Sequence, residues 1–209
     1  MVEIGKINKP EVAKYKNMKK IYFVRNLYLP KNATDQYKII FDRYWKEVEE
    51  YIAKIEVAGN VAKIFCESLY MSGEDAKKII KSMNVALEQI VQKKIDAGAE
   101  LLPLEDKEIF GSYVDWNNCM MVIRTARVYD KVQEELKAVV KERFNYIKTV
   151  LEKNIGKAEA AMLIMRGEDR DFLELPDDIE LFLISPPAYD DLVKFMRDRD
   201  EGKEFWRNS

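Results

Sequence analysis

Histidine is absent from all 209 residues. That removes Ser-His-Asp and Cys-His nucleophile sites and every His-ligated zinc or iron centre. Cysteine occurs only twice, as Cys66 and Cys119, too few for the disulfide framework of a small secreted domain. Both stand in apolar company and read as small, buried, reduced thiols. Glycine is scarce, with 8 residues, and neither G-x-G-x-x-G nor G-x-x-x-x-G-K-[ST] occurs, which argues against nucleotide binding through a glycine-rich loop. Long apolar runs are missing too. The longest clean one is Ala160 to Met165, far short of the roughly 20 residues a membrane span needs, so no membrane partner is expected. No sign of charge dominates: 35 Lys and Arg against 37 Asp and Glu leave a net charge of -2, so no nucleic-acid partner is expected either. The first twenty residues are charged throughout and do not read as a secretion signal, which makes the cytoplasm the expected location.

What is present is a globular composition, 47% hydrophobic and 34% charged, in alternating strand and helix patterns. Residues 1–18 read as a polar extension, 19–200 as one α/β domain and 201–209 as a polar tail. Strand signals fall at Lys20 to Arg25, Val61 to Glu67, Ala99 to Leu104, Ala160 to Met165 and Ile179 to Ile184. Between them the apolar spacing predicts helices over about 35–58, 72–97 and 106–154. Gly111 or the Asp115 to Asn118 stretch is the expected break in the last of these. A final helix starts after Ser185, its expected N-cap. The aromatic stripe Tyr37, Phe41, Tyr44, Trp45, Tyr51 reads as core, with Tyr44 and Tyr51 at its margin. Pro103 forfeits a ladder donor and places the third strand at an edge. The fold expected is a single three-layer domain with a mostly parallel, about five-stranded sheet and helices on both faces. The strand at 179–184 follows a polar loop too short for an ordinary helical crossover, so its orientation stays open.

Open α/β sheets bind ligands beyond the carboxyl ends of their strands. The residues that follow each strand are therefore the candidates. Glu67, Glu105, Asp106 and Glu168 are candidate catalytic carboxylates, and Glu67, Asp106 and Glu168 are candidate ligands for Mg²⁺ or Mn²⁺, since hard cations take oxygen donors and need no histidine. Arg25, Asn26, Ser68 and Arg166 are candidate ligand-binding groups. Trp206, on a polar tail, is a candidate anchor for a protein partner or a second copy of the chain. Against this stands the ordinary role of acids after strands, capping the next helix, which suits Glu74 and Asp106.

Lys20 to Val24, Lys63-Ile-Phe-Cys-Glu-Ser68, Gly98 to Asp106 and Leu175 to Ile179 together resemble a set of uncharacterised prokaryotic α/β proteins, and more distantly the TraB/erythromycin-esterase-like superfamily. That resemblance implies a glutamate after an early strand, a place Glu67 occupies, and a histidine after a late one. Here the late position reads Arg166-Gly167-Glu168. Two expectations follow: a non-catalytic binding or accessory protein that needs no cofactor and has a protein partner or forms a homo-oligomer, or a carboxylate-dependent hydrolase assisted by Mg²⁺ or Mn²⁺.

Overall fold

The computed structural model describes residue 15 and residues 17–207, with side chains as far as residue 198. The expectations for most of the N-terminal extension and for the Trp206 side chain lie outside the described residues. In chain order the elements are β1 (Lys19–Arg25), α1 (Asp35–Ile55), a 3-10 turn (Glu56–Ala58), β2 (Val61–Cys66), α2 (Gly73–Met83) and α3 (Val85–Asp96). There follow β3 (Glu100–Leu102), α4 (Lys107–Val122), α5 (Ala126–Asn154), β4 (Ala160–Met165), a 3-10 segment (Gly167–Phe172), β5 (Ile179–Ile184) and α6 (Pro187–Arg207).

The five strands form one sheet in the order β3-β2-β4-β1-β5, and every pairing is parallel. β4 is buried along its whole length, as a strand covered on both faces must be, and its unbroken apolar run is the sequence form of that burial. One face packs Tyr22, Val24, Ile64, Cys66, Met162 and Ile164 against α1, α2, α3 and α6. On the other, Ile21, Phe23, Phe65, Leu163 and Met165 meet Phe144, Ile147 and Leu151 of α5. β5 pairs with β1 rather than with β4, so the polar loop after β4 is an irregular crossover. Leu173 and Leu175 pack it onto the α5 face. No described helix is long and apolar enough to cross a membrane.

Four local expectations are corrected. The helix over 72–97 is two helices. Asn84 stops α2 with extended backbone and starts α3, its Oδ1 accepting from the N–H groups of Ala86 (2.9 Å) and Leu87 (3.2 Å), because a short side-chain amide satisfies orphan helix donors better than the helix can. The break in 106–154 falls at Ile123 to Thr125 rather than at Gly111 or Asp115 to Asn118. Two β-branched residues there take extended geometry, while Asn117 stays helical and donates to the Tyr113 carbonyl at 2.7 Å. Cys119 is exposed, although Cys66 is buried as expected. Tyr44 is fully buried rather than marginal; its hydroxyl donates to the Arg25 carbonyl at 2.7 Å, which supplies the partner a buried phenol requires.

β1 is anchored by Lys20, a buried lysine whose Nζ donates to the carbonyls of Tyr15 (2.8 Å), Met18 (2.7 Å) and Ala158 (3.3 Å). Gly59 makes room for it: a Cβ there would lie 2.8 Å from Lys20 Cε. Burial holds the Lys20 ammonium below its ordinary pKa.

Candidate functional site

The chain leaves β2 toward β3 at one edge of the sheet and leaves β4 toward β5 at the other. β2 and β4 are neighbours, so their carboxyl ends form a crevice where the connections part. In parallel sheets this switch point is where ligands bind.

Glu67 sits there, buried, one residue past β2. Its Oε1 accepts from Asn26 Nδ2 at 2.8 Å and from the Tyr28 hydroxyl at 2.9 Å. Its Oε2 accepts the Arg166 backbone N–H at 3.1 Å and lies 3.6 Å from Arg166 Nε. Arg166 in turn donates from Nη2 to Asp169 Oδ2 (3.2 Å) and to the Tyr113 hydroxyl. Asp169 also accepts from Arg143 Nη1 at 3.2 Å. Arg143 Nε donates to Glu105 Oε2 at 2.9 Å, and Glu105 Oε1 accepts the Ser68 N–H at 3.3 Å. The result is a ladder of alternating charge, Glu67, Arg166, Asp169, Arg143, Glu105, along the carboxyl edge of β2, β4 and β3.

Arg143 is its centre. It is 1% exposed, and its guanidinium lies 4.7 Å from the Tyr113 ring and 5.3 Å from that of Phe144. Burial works against its charge, and Glu105 and Asp169 outweigh burial, leaving its pKa raised. Arg166 is likewise raised, because Tyr113, Asp169 and Glu67 overcome desolvation. Glu67 behaves oppositely. Burial pushes its carboxyl above the ordinary value, and bonds from Asn26, Arg166 and Tyr28 offset this only in part. The Tyr28 hydroxyl is raised by its own burial and by the Glu67 charge. Ser68 takes a left-handed backbone, φ +69°, uncommon for a residue with a Cβ. The turn it makes brings Leu69 O to accept the N–H groups of Leu104 and Glu105, both at 2.9 Å, which stitches the ends of β2 and β3 together.

Two cavities flank the ladder. An inner one of about 220 Å³ is lined by Tyr28, Glu67, Ser68, Tyr113, Arg143 and Arg166 among others. An outer cleft of about 590 Å³ runs from Arg25 and Asn26 past Arg166 to Tyr189. Tyr28 and Arg166 line both.

The candidates therefore divide. Glu67, Asn26, Ser68 and Arg166 come together. Glu105 joins the same ladder from behind Arg143, and Arg25 stands on the outer cleft. Asp106 does not join: it caps α4, accepting from the N–H groups of Glu108 (2.9 Å) and Ile109 (3.0 Å). Glu168 is exposed on the outer cleft, while its neighbour Asp169 turns inward. Tyr28, Tyr113 and Arg143 escaped the sequence reading; Asp169 stands in sequence beside Glu168 after β4, and Glu168 is the sequence candidate of the two. Arg143 had a signal, a lone charge in phase with the apolar stripe Val139, Val140, Ile147. Among the described residues no three Asp, Glu or Cys side chains approach closely enough to hold a metal. Glu105 is taken by Arg143 through both oxygens, and Asp106 is committed to its helix.

Away from the site, α4 buries none of its residues. At its end Met121 is 78% and Val122 75% exposed, and Val128 and Tyr129 at the start of α5 are exposed as well.

No family model, curated protein or solved structure matches the chain.

Two predictions follow from the ladder. Arg143→Met leaves two carboxylates without their buried cation and lowers the unfolding free energy in urea by about 3–5 kcal/mol; adding Glu105→Gln recovers part of that loss. A double variant as unstable as the sum of its parts would refute the coupling. The second concerns pH. The folded chain holds the Glu67 proton more tightly than the unfolded chain does, so between the ordinary 4.5 and the raised value the folded state carries more protons. Stability contributed by Glu67 is full below 4.5 and lost as pH rises through that window. The wild-type advantage over Glu67→Gln accordingly shrinks as pH rises above 4.5 in urea titrations; an advantage that grows would show that its donors, not burial, govern the carboxyl.

Proposed function

We propose that this protein is a non-catalytic binding protein whose ligand occupies the outer cleft at the switch point. The observation that carries the reading is the ladder behind that cleft. It holds Asn26, Tyr28 and Arg166, three of the cleft's lining residues, in fixed positions, and a pre-organised wall is what ligand binding requires. The cleft's about 590 Å³ lies within the usual range for small-molecule sites. Metal-assisted hydrolysis has less support, because Glu67 and Glu105 are paired with arginines and Asp106 caps a helix, which leaves Glu168 on the cleft without a second free carboxylate from the candidate set.

A second reading concerns assembly. The exposed apolar end of the α4/α5 hairpin is the kind of patch that marks a protein contact, and a second copy of the chain presents the same patch for a two-fold contact.

Each reading has its test. In ¹H–¹⁵N spectra, titration with a library of small polar fragments shifts the amides of Arg25 to Tyr28 and Arg166 to Glu168; a library that leaves them unmoved overturns the ligand reading. For assembly, sedimentation at about 50 µM gives the mass of two chains, a concentration at which a micromolar interface is mostly filled. Met121→Lys with Val122→Glu returns it to one. A wild-type monomer at that concentration overturns the second reading.

A further inference from the structure

The outer cleft carries an imbalance of charge that the fold does not use. Arg25, Arg166 and Arg170 line it, facing the carboxylates of Glu168 and Asp171 on the same wall. Among the described residues, neither Arg25 nor Arg170 forms an ion pair within 4.0 Å, with those acids or any other. If these arginines served the fold, the adjacent acids are where they would bond.

Arg25 is nevertheless held in place. Its Nη1 donates to Ser185 Oγ at 3.0 Å, and its guanidinium stacks 4.2 Å from the centre of the Tyr189 ring. Gly167 lies beside it on another side, within van der Waals reach: a Cβ there would stand 3.4 Å from Arg25 Nε. Ser185 is thus drawn to Arg25, and the Ala188 N–H at the start of α6 is taken instead by Glu47 at 2.9 Å. A guanidinium fixed by a hydroxyl and an aromatic ring, with its remaining N–H groups unpaired, is pre-organised for a planar or tetrahedral oxyanion.

The wall of the same cleft also holds one unmet polar group. Asn26 is 4% exposed, and its Nδ2 is fixed by Glu67 and Tyr28. That orientation leaves Oδ1 buried with no hydrogen-bond donor. An unpaired buried acceptor is costly, so the fold holds this wall at some cost, although Oδ1 exposes too little surface for a ligand in the cleft to reach it.

We infer that the ligand is a small molecule carrying an oxyanion, received by Arg25 with Arg170 and Arg166. The inference rests on the reading of the cleft as a ligand site. Carboxylate and phosphate share this chemistry, and the test separates them.

Three probes are titrated in ¹H–¹⁵N spectra of the whole chain: glycerol 3-phosphate, malate and uncharged glycerol. At least one of the two anions shifts the Arg25 and Arg166 amides saturably, and glycerol does not. The anion that binds more tightly names the group. Arg25→Gln and Arg170→Gln each weaken that binding about tenfold or more, the loss expected when a charge-assisted hydrogen bond is removed. Lys141→Gln, on α5 outside the cleft, leaves it unchanged. Arg170 is exposed, so its variant keeps the test valid should Arg25→Gln fail to fold. Equal weakening by Lys141→Gln, or full binding by both arginine variants, overturns the inference. Shifts from glycerol or other neutral fragments alone overturn the anion while leaving the cleft reading intact. A cleft that no fragment moves refutes that reading itself.

Discussion

Arg143 has to be neutralised wherever α5 packs, and that requirement organises the carboxyl edge of the sheet. A guanidinium that is 1% exposed carries a desolvation cost of several kcal/mol unless its donors are met. Glu105 and Asp169 meet them, one from the segment after β3 and one from the segment after β4. These segments are far apart in sequence and have no strand pairing to join them, since β3 and β4 both pair with β2. The buried cation is what draws them to one place. Such pairs seldom stabilise a fold more than an apolar substitute would. Their effect here is geometric: they fix where α5 lies along the sheet and which way the loop after β4 turns.

The ladder and the topology reinforce one another. Only between β2 and β4 do the connections part in opposite directions with both strand ends buried, and there the ladder begins with Glu67. The Arg166 backbone N–H that Glu67 accepts belongs to the first residue after β4, so strand register sets that bond. The side chains beyond it, Asp169 and Arg143, extend the same chain of charge to β3. The cleft wall is the outer surface of this arrangement.

Much of this was legible from residue patterns, and the failures have physical causes. Glu67 stood out because an acid that directly ends an apolar run must sit at the lip of a buried sheet. Asp106 was readable as a cap and is one. Of the two adjacent acids after β4, Glu168 is the less informative choice, because a 3-10 turn decides that Asp169 faces inward. In it the Asp169 N–H bonds to Arg166 O at 3.2 Å, three residues back, which sets Asp169 over Arg166. Arg143 is hidden in sequence because its helix reads as an ordinary apolar stripe, and one charge in phase with that stripe does not interrupt the spacing. The orientation of β5 depended on a partner strand 160 positions earlier, which local pattern cannot supply. The α2/α3 break depended on one asparagine whose side chain outcompetes the helix.

Arg166 links the two cavities and the ladder, and this constrains how they act together. Its guanidinium is the nearest cation to Glu67 and one of two that hold Asp169. Any oxyanion that draws on Arg166 from the outer cleft reduces the favourable field at Glu67. A carboxyl already raised by burial then rises further, because less positive charge opposes desolvation. For the anion proposed in the cleft, occupancy and the proton on Glu67 are thereby coupled, and the coupling is reciprocal: a protonated Glu67 leaves Arg166 less neutralised and more attractive to an anion.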